Sequence, residues 1–393
     1  MTGEDKVCVT GGNKVCVTDG NKVCMTDEDK VSMIAFGSKK ALLVYNPVAG
    51  NKSFRRSLDY VIKSFQRAGT QIVPYRTEPA AAGGEDALER LFAQISERGG
   101  FQKILVAGGD GTVSRVFGMM ARHQTEIPVG LFPVGTANDY AQCLGLTGDL
   151  RQAAETALAD HLIRSDVGLV NGRPFINVAC IGMLADLSHK TDTKAKNSLG
   201  MLAYYFKGIE ELPAFAPVPV DVRWDGAGKS DGGDGVDVDA SVGSRFSGEI
   251  NLMLVMNGRS AGGFKKIAPA ARIDDGLLDV VIFKKCPVLD LIPLLLQVNA
   301  GEHLASEHIL HFQTTRLTVG CGVPCGTDLD GEAGPAFPLE IGILPGRVRV
   351  LSPAAPAAQA APAAPAMPAA QIAQVAQIAR IPNDTAKHKG EPD

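Results

Sequence analysis

The stretch KILVAGGDGTVSRV, Lys103 to Val116, decides the fold. Its first half is a short aliphatic run ending in glycine, the pattern of a strand buried on both faces. The run breaks into Gly108-Gly109-Asp110-Gly111-Thr112, after which Val113–Arg122 has helical spacing. In a strand, glycine turn, helix sequence the turn amides and the helix N-terminus point at negative charge. Glycine lets the backbone approach a phosphate at distances a Cβ would forbid. Asp110 cannot itself bind phosphate, so a metal ion or a nucleotide sugar is needed to explain it. The plainer alternative is a glycine-rich strand-to-helix turn without a ligand.

The same grammar recurs on either side. Ala41–Tyr45 (ALLVY) is a buried-strand run ending in Asn46-Pro47-Val48-Ala49-Gly50-Asn51-Lys52. Pro128–Phe132 is another, ending in Pro133-Val134-Gly135-Thr136-Ala137-Asn138-Asp139 before a helix that starts near Tyr140. Thr136 offers a hydroxyl and an amide to a phosphate. Asn138 and Asp139 serve either a ligand or the N-cap of the helix, the commoner use of such residues there. Lys52 is either a phosphate counter-charge or a solvated surface lysine. Helical spacing over Ser57–Ala68 and Asp86–Glu97, and a strand over Gln71–Tyr75, complete an alternation of strands and helices. Such alternation means a parallel sheet with its binding loops at the strands' carboxyl ends.

Beyond about Arg164 the texture changes to short alternating segments: Phe175–Cys180, Val218–Trp224, Glu249–Met256, Leu278–Phe283, Arg316–Val319 and Leu339–Ile343. These read as an antiparallel β domain, interrupted by a helical insert at Ser198–Leu212 and a Gly/Asp-rich surface loop at Asp225–Gly235. The boundaries expected are an α/β domain over residues 37–164, to which residues 344–353 return, and a β-rich domain over 165–343. The first 36 residues repeat an eight-residue unit (KVCVTGGN, KVCVTDGN, KVCMTDED) too few times to bury a core. The end from residue 354 is Ala/Pro-rich, a composition that does not pack. Both tails are expected to be disordered.

A formal net charge of −4 argues against nucleic-acid binding, which favours a basic surface. Scattered cysteines outside the repeat fit reduced thiols rather than a disulfide framework. The polar N-terminus lacks the apolar segment of a signal peptide. The apolar stretch Leu289–Val298 falls well short of the roughly 20 residues a spanning helix needs. The chain is therefore expected to be cytoplasmic. His303, His308, His311, Cys321 and Cys325 match no common zinc spacing.

Three loops in this order, NPxxG, GGDGT and GTxND, resemble the catalytic domain of the diacylglycerol kinase family, its bacterial lipid-kinase branch included, which is related to sphingosine kinases. The resemblance continues through IAPAARIDDGLLDVVIF (Ile267–Phe283) and DLDGE (Asp328–Glu332), covering residues 40–352 and neither tail. It implies an NAD kinase-like α/β domain followed by an antiparallel β-sandwich. It also implies an enzyme that uses ATP and Mg²⁺ to phosphorylate the hydroxyl of diacylglycerol or a similar lipid, touching the inner membrane surface transiently. The phosphates would lie against Asn46, Pro47 and Gly50, the run Gly108, Gly109, Asp110, Gly111, Thr112, Val113, Ser114 and Arg115, and Thr136, Asn138 and Asp139, with Thr77 near the nucleotide. Glu332 would accept the lipid hydroxyl's proton, with Asp330 facing the same cleft if the segment is extended; the pair reads otherwise as metal ligands or a turn. A structural Mg²⁺ would sit on the side chain of Asp275 and the carbonyls of Arg272 and Leu277. Met201, Leu202, Tyr204, Tyr205, Phe206 and the Leu291–Leu296 run offer apolar surface for a lipid, or core.

One departure stands out. Family members usually read GGDGTxNE, whereas this chain has Ser114 and Arg115 in the last two places. Arg115 puts a base beside the phosphates, which either tightens ATP binding or removes a metal contact. Three rivals remain: a kinase acting on NAD or another small molecule, a sphingoid-base or ceramide kinase, and a catalytically weak lipid-binding or regulatory protein.

Overall fold

The computed structural model describes residues 39–50, 54–78, 87–182, 217–225, 236–239, 243–262, 264–287 and 300–353, the residues 290, 294, 297 and 298, and three short strands before residue 25. Those three strands come from the octapeptide repeat. They are β1 (Cys8–Thr10), β2 (Lys14–Val17) and β3 (Val23–Cys24), antiparallel, with Cys8 opposite Cys16 and Cys16 opposite Cys24. Disorder is expected over this repeat, but its Val/Cys/Thr runs suit strands and its Gly/Asn/Asp runs suit turns. The rest of the repeat, the tail after Pro353, Lys52, the helical insert with Met201 to Phe206, and most of Leu291–Leu296 lie outside the described residues.

The first large unit alternates as β4 (Lys39–Tyr45), α1 (Phe54–Arg67), β5 (Thr70–Arg76), α2 (Ala87–Arg98), β6 (Lys103–Gly108), α3 (Asp110–Arg122), β7 (Val129–Pro133), α4 (Asp139–Cys143) and α5 (Leu150–Leu158). Its four strands are parallel in the order β5-β4-β6-β7. The period of two along each strand sorts side chains between two helical layers. Leu42, Val44, Ile104, Val106, Val129 and Leu131 pack against Phe92 of α2 and Val116, Phe117 and Met120 of α3. Ala41, Leu43, Leu105, Ala107 and Phe132 pack against Phe54, Val61 and Phe65 of α1 and Ala153, Ala154 and Ala157 of α5. A continuous aliphatic run is what such a doubly covered strand requires.

The second unit is antiparallel. It comprises β8 (Leu162–Val170), β9 (Arg173–Phe175), β10 (Val178–Gly182), β11 (Val218–Trp224), β12 (Val236–Asp239), β13 (Gly243–Met256), β14 (Leu278–Lys284), β15 (Ile309–Thr314), β16 (Arg316–Cys321), β17 (Thr327–Leu329), β18 (Glu332–Ala333) and β19 (Leu339–Leu351). A single hydrogen-bonded path, β18-β17-β10-β13-β11-β16-β19-β7-β6-β4-β5, joins it to the parallel strands. The joint is β19, whose first residues pair with β16 and whose Val350 lies parallel to Val129 of β7. The strand expected over Leu339–Ile343 runs on to Leu351 across a bulge at Pro345-Gly346, with the register against β8 shifting between Leu344 and Val348.

Candidate active site

Three loops meet at the carboxyl ends of β4, β6 and β7. Asn46 N–H donates to the Ala107 carbonyl at 2.9 Å, and Val134 N–H to the Gly108 carbonyl at 3.1 Å, so each loop leaves its strand alongside the next. Asn46 Nδ2 donates to Thr112 Oγ1 at 3.4 Å. The glycines set how closely the loops pack. A Cβ on Gly135 would stand 2.3 Å from Gly109 Cα, and one on Gly50 (φ +51°) 2.3 Å from the Val134 carbonyl oxygen. Gly111 differs: a Cβ there meets nothing within 4 Å. It faces open space on the first turn of α3, where Gly109 as N-cap supplies no capping side chain. Thr112 and Val113 already give their N–H groups to the Gly109 carbonyl, at 2.9 and 3.1 Å; the amides before them have no acceptor one turn earlier and offer hydrogen-bond donors to an anion.

The third loop closes on itself. Asn138 has φ +54°, and its side chain turns back, accepting from Gly135 N–H at 2.8 Å and donating to the Gly135 carbonyl at 3.1 Å. The N-cap alternative for its side chain is therefore not what the structure shows. Asp110 takes over part of that capping from outside, accepting from Tyr140 N–H at 3.1 Å. Tyr140 is fully buried, and its hydroxyl donates to Ser165 Oγ at 2.6 Å. Burial raises the phenol's pKa, so it stays a donor. Thr77, just past β5, donates its N–H to the Tyr45 carbonyl at 2.9 Å and so lies on the same rim. Arg115 reaches toward it, its guanidinium 3.4 Å from the Glu78 carbonyl oxygen. Thr136 is exposed, Pro47 and Asp139 are buried, and Val113 packs into the core beneath α3.

The acidic pair does not share one cleft as an extended segment would have it. Leu329 pairs with Glu332, and the two residues between them, Asp330 (φ +53°) and Gly331 (φ +93°), make a tight reversal. Asp-Gly at a two-residue hairpin favours left-handed φ at both positions. Asp330 consequently turns inward while Glu332 is exposed. The Asp330 carboxylate accepts from Ile176 N–H at 2.7 Å, Asn177 and Val178 N–H at 2.9 Å each, and Ser114 Oγ–H at 2.6 Å. Those four donors fill the four lone-pair positions of a carboxylate. Burial pushes its pKa up, and Ser114 and the three amides oppose that rise. Asn177 links this knot to the glycine loop, its Nδ2 lying 3.4 Å from Asp110 Oδ1. Glu332 follows two residues after Asp330, a chain length of at most about 7 Å.

A second acidic locus lies at the Arg272–Leu277 turn. Asp275 is half-buried and accepts from Leu277 N–H at 3.0 Å. Burial, with Asp279 and Asp274 nearby, holds its carboxyl up at about 6. Arg272 pairs its guanidinium with Asp274 at 3.0 Å. Sequence reasoning missed Asp166, which ties this turn to β19 by accepting from Gly276 N–H at 2.7 Å and Gly346 N–H at 2.6 Å. Burial raises it to about 7 despite those two donors. Its signal was a lone acid inside the apolar run of β8, where buried charges need a reason. Among the described residues no three His, Cys, Asp or Glu side chains gather as a metal site, so a cation at this turn would depend on the Asp275 carboxyl and on carbonyls. Elsewhere His311 Nε2 sits 2.9 Å from Asp279, and His303 Nε2 sits 2.8 Å from the Ile267 carbonyl beneath Phe283.

Two family models match successive stretches of the chain. Residues 40–170 match the diacylglycerol kinase catalytic domain, and residues 177–352 match the YegS C-terminal NAD kinase β-sandwich-like domain. A diacylglycerol kinase of Bacillus subtilis is 34% identical over 316 residues, covering 80% of this chain and 97% of that protein. One from Staphylococcus carnosus is 30% identical over 315 residues, with 80% and 95% covered. A crystal structure of a diacylglycerol kinase from Bacillus anthracis shares the fold at a TM-score of 0.62 and 24% identity, covering 81% of this chain and 98% of that one. Among the described residues no helix is long and apolar enough to cross a membrane. The chain belongs to the diacylglycerol kinase catalytic-domain family.

Proposed function

We propose that the chain is an ATP-dependent lipid kinase that phosphorylates the hydroxyl of diacylglycerol or a closely similar lipid. The observation that supports this reading is the hydrogen bond from Ser114, on the first turn of α3, to Asp330, which lies in the hairpin two residues before the exposed acid Glu332. Phosphoryl transfer asks for positioning and charge neutralisation more than for covalent help. In this reading the nucleotide's phosphates lie against Gly109–Arg115, the Asn46–Gly50 loop and the Thr136 hydroxyl, with the amides at the start of α3 as donors and Thr77 beside the nucleotide. The lipid hydroxyl enters between the two units, and Glu332 accepts its proton as its oxygen attacks the γ-phosphorus. Asp330, with every acceptor position filled, orients the hairpin instead.

Mg²⁺ would be held by Asp110, with Asp139 adjacent, where it would neutralise phosphate charge, and a structural Mg²⁺ by Asp275 and the carbonyls of Arg272 and Leu277. Membrane contact in this reading is peripheral and transient. Turnover of radiolabelled ATP against diacylglycerol, sphingoid bases, ceramide and NAD identifies the acceptor. Glu332→Gln should abolish lipid phosphorylation while leaving ATP binding intact; full turnover in that variant would remove Glu332 from the chemistry.

A further inference from the structure

The side chain of Ser114 does something specific. Its hydroxyl, 2.6 Å from Asp330 Oδ2, reaches across 216 positions of chain from the first turn of α3 to the hairpin tip between β17 and β18. The other three donors to that carboxylate, the amides of Ile176, Asn177 and Val178, all come from the segment leading into β10. They therefore fix the hairpin only within the β-rich unit. Ser114 is the donor that comes from the glycine loop's own helix. A weaker parallel link runs from Asp110 Oδ1 to Asn177 Nδ2 at 3.4 Å, and the Oδ1 of Asn177, itself buried, has no hydrogen-bond partner. That second strut is too long to hold the spacing alone.

We propose that Ser114 is a positioning residue for phosphoryl transfer: through Asp330 it sets the height of the Glu332 hairpin above the nucleotide loops. This inference rests on the kinase reading given above. A hydroxyl donating to a carboxylate gives a short, directional bond. The neighbouring Arg115 has a guanidinium directed to the Glu78 carbonyl, away from this bond, so the two departures from the family pattern do different jobs.

The test uses the full-length protein with Ser114→Ala, Ser114→Thr and Ser114→Asn, alone and combined with Asp330→Asn. Amide hydrogen exchange at Ile176–Val178, kcat and KM for ATP and lipid, and binding of a non-hydrolysable ATP analogue are read in each. The single tryptophan, Trp224, is buried and stacked on Phe312 at 3.9 Å, so its fluorescence reports whether the β-rich unit is intact. In Ser114→Ala we expect exchange at the three amides to quicken about tenfold. We expect kcat to fall about ten- to a hundredfold, the range that displacements near 1 Å produce. Affinity for the ATP analogue should stay within about twofold, because the donors to phosphate are untouched.

Ser114→Thr should recover most of kcat. Adding Ser114→Ala to Asp330→Asn should cost little more than Asp330→Asn alone, since both cut one link. The proposal is overturned if kcat survives Ser114→Ala, if analogue affinity falls as far as kcat, or if the costs of the two substitutions simply add. Should Ser114→Ala lose the Trp224 signal, the Thr and Asn variants decide by the same readouts. A wild type that phosphorylates none of the acceptors sinks the kinase reading, and the exchange rates then decide the latch by themselves.

Discussion

Gly111→Ala separates a glycine kept for a ligand from one kept for the fold. Gly111 is the second residue of α3, its φ is not positive, and a Cβ there meets nothing within 4 Å. Replacing glycine by alanine at a compatible helical position stabilises by about 0.4–1 kcal/mol. Near a helix start the lower end applies, and a protein of this size should then melt about 1–2 °C higher. The cost falls on the ligand, since the methyl occupies the space through which a phosphate would approach the first-turn amides. Loss of a charge-assisted hydrogen bond there is worth about 1.5–3 kcal/mol, at least a tenfold weaker affinity for ATP. Gly135→Ala is the counter-case: its Cβ would lie 2.3 Å from Gly109 Cα, backbone against backbone. It should lower the melting temperature, because overpacking costs about 1–3 kcal/mol. Thermal melts and an ATP-analogue titration on the same preparations read both. A Gly111→Ala protein that melts higher and binds the analogue as tightly as the wild type would refute the placement of the phosphates on this face.

Two further outcomes follow from charge. Arg115→Glu, which exchanges a base for an acid, should raise the KM for ATP about three- to tenfold in dilute buffer and less at high salt, where screening intervenes; a KM that does not move with the substitution would show Arg115 to be remote from the phosphates. Asp275, held at about 6 chiefly by burial, titrates near 3.9 in an unfolded chain. The folded pKa is the higher, so the folded protein binds that proton more tightly. The stabilisation is complete below about pH 4 and is lost as the pH rises through about 6. In metal-free buffer the wild type should therefore lose melting temperature relative to Asp275→Asn over that window, and Mg²⁺ should restore it in the wild type alone. Parallel curves for the two proteins would mean that Asp275 carries no such strain.

What could be read from the chain follows from how each feature is encoded. The parallel unit is written locally: ALLVY, KILVA and the run before Pro133 are continuous because helices cover both faces, and their glycine endings are fixed by contacts such as Gly50 on Val134 and Gly135 on Gly109. The second unit was legible where its strands alternate, as in Val218–Trp224. It was not legible at β8, whose Arg164, Ser165 and Asp166 break the apolar pattern. Ser165 and Asp166 are nonetheless buried, because partners more than 100 residues away satisfy them.

The two acids of the β17–β18 hairpin divide the same way. That Asp330 and Glu332 part company was available from the Asp-Gly pair between two short runs, a hairpin signal that outranks the assumption of an extended segment. What Asp330 binds was not available: Ser114 and Ile176–Val178 are distant in sequence, and only the closed topology assembles them. Motif residues were thus visible because they answer to near neighbours. The residues that link the two units (Ser114, Asn177 and Tyr140) answer to partners 216, 67 and 25 positions away along the chain. A single sequence marks them only as polar side chains in apolar company, so substitutions there should alter geometry between the units before they alter either unit's own fold.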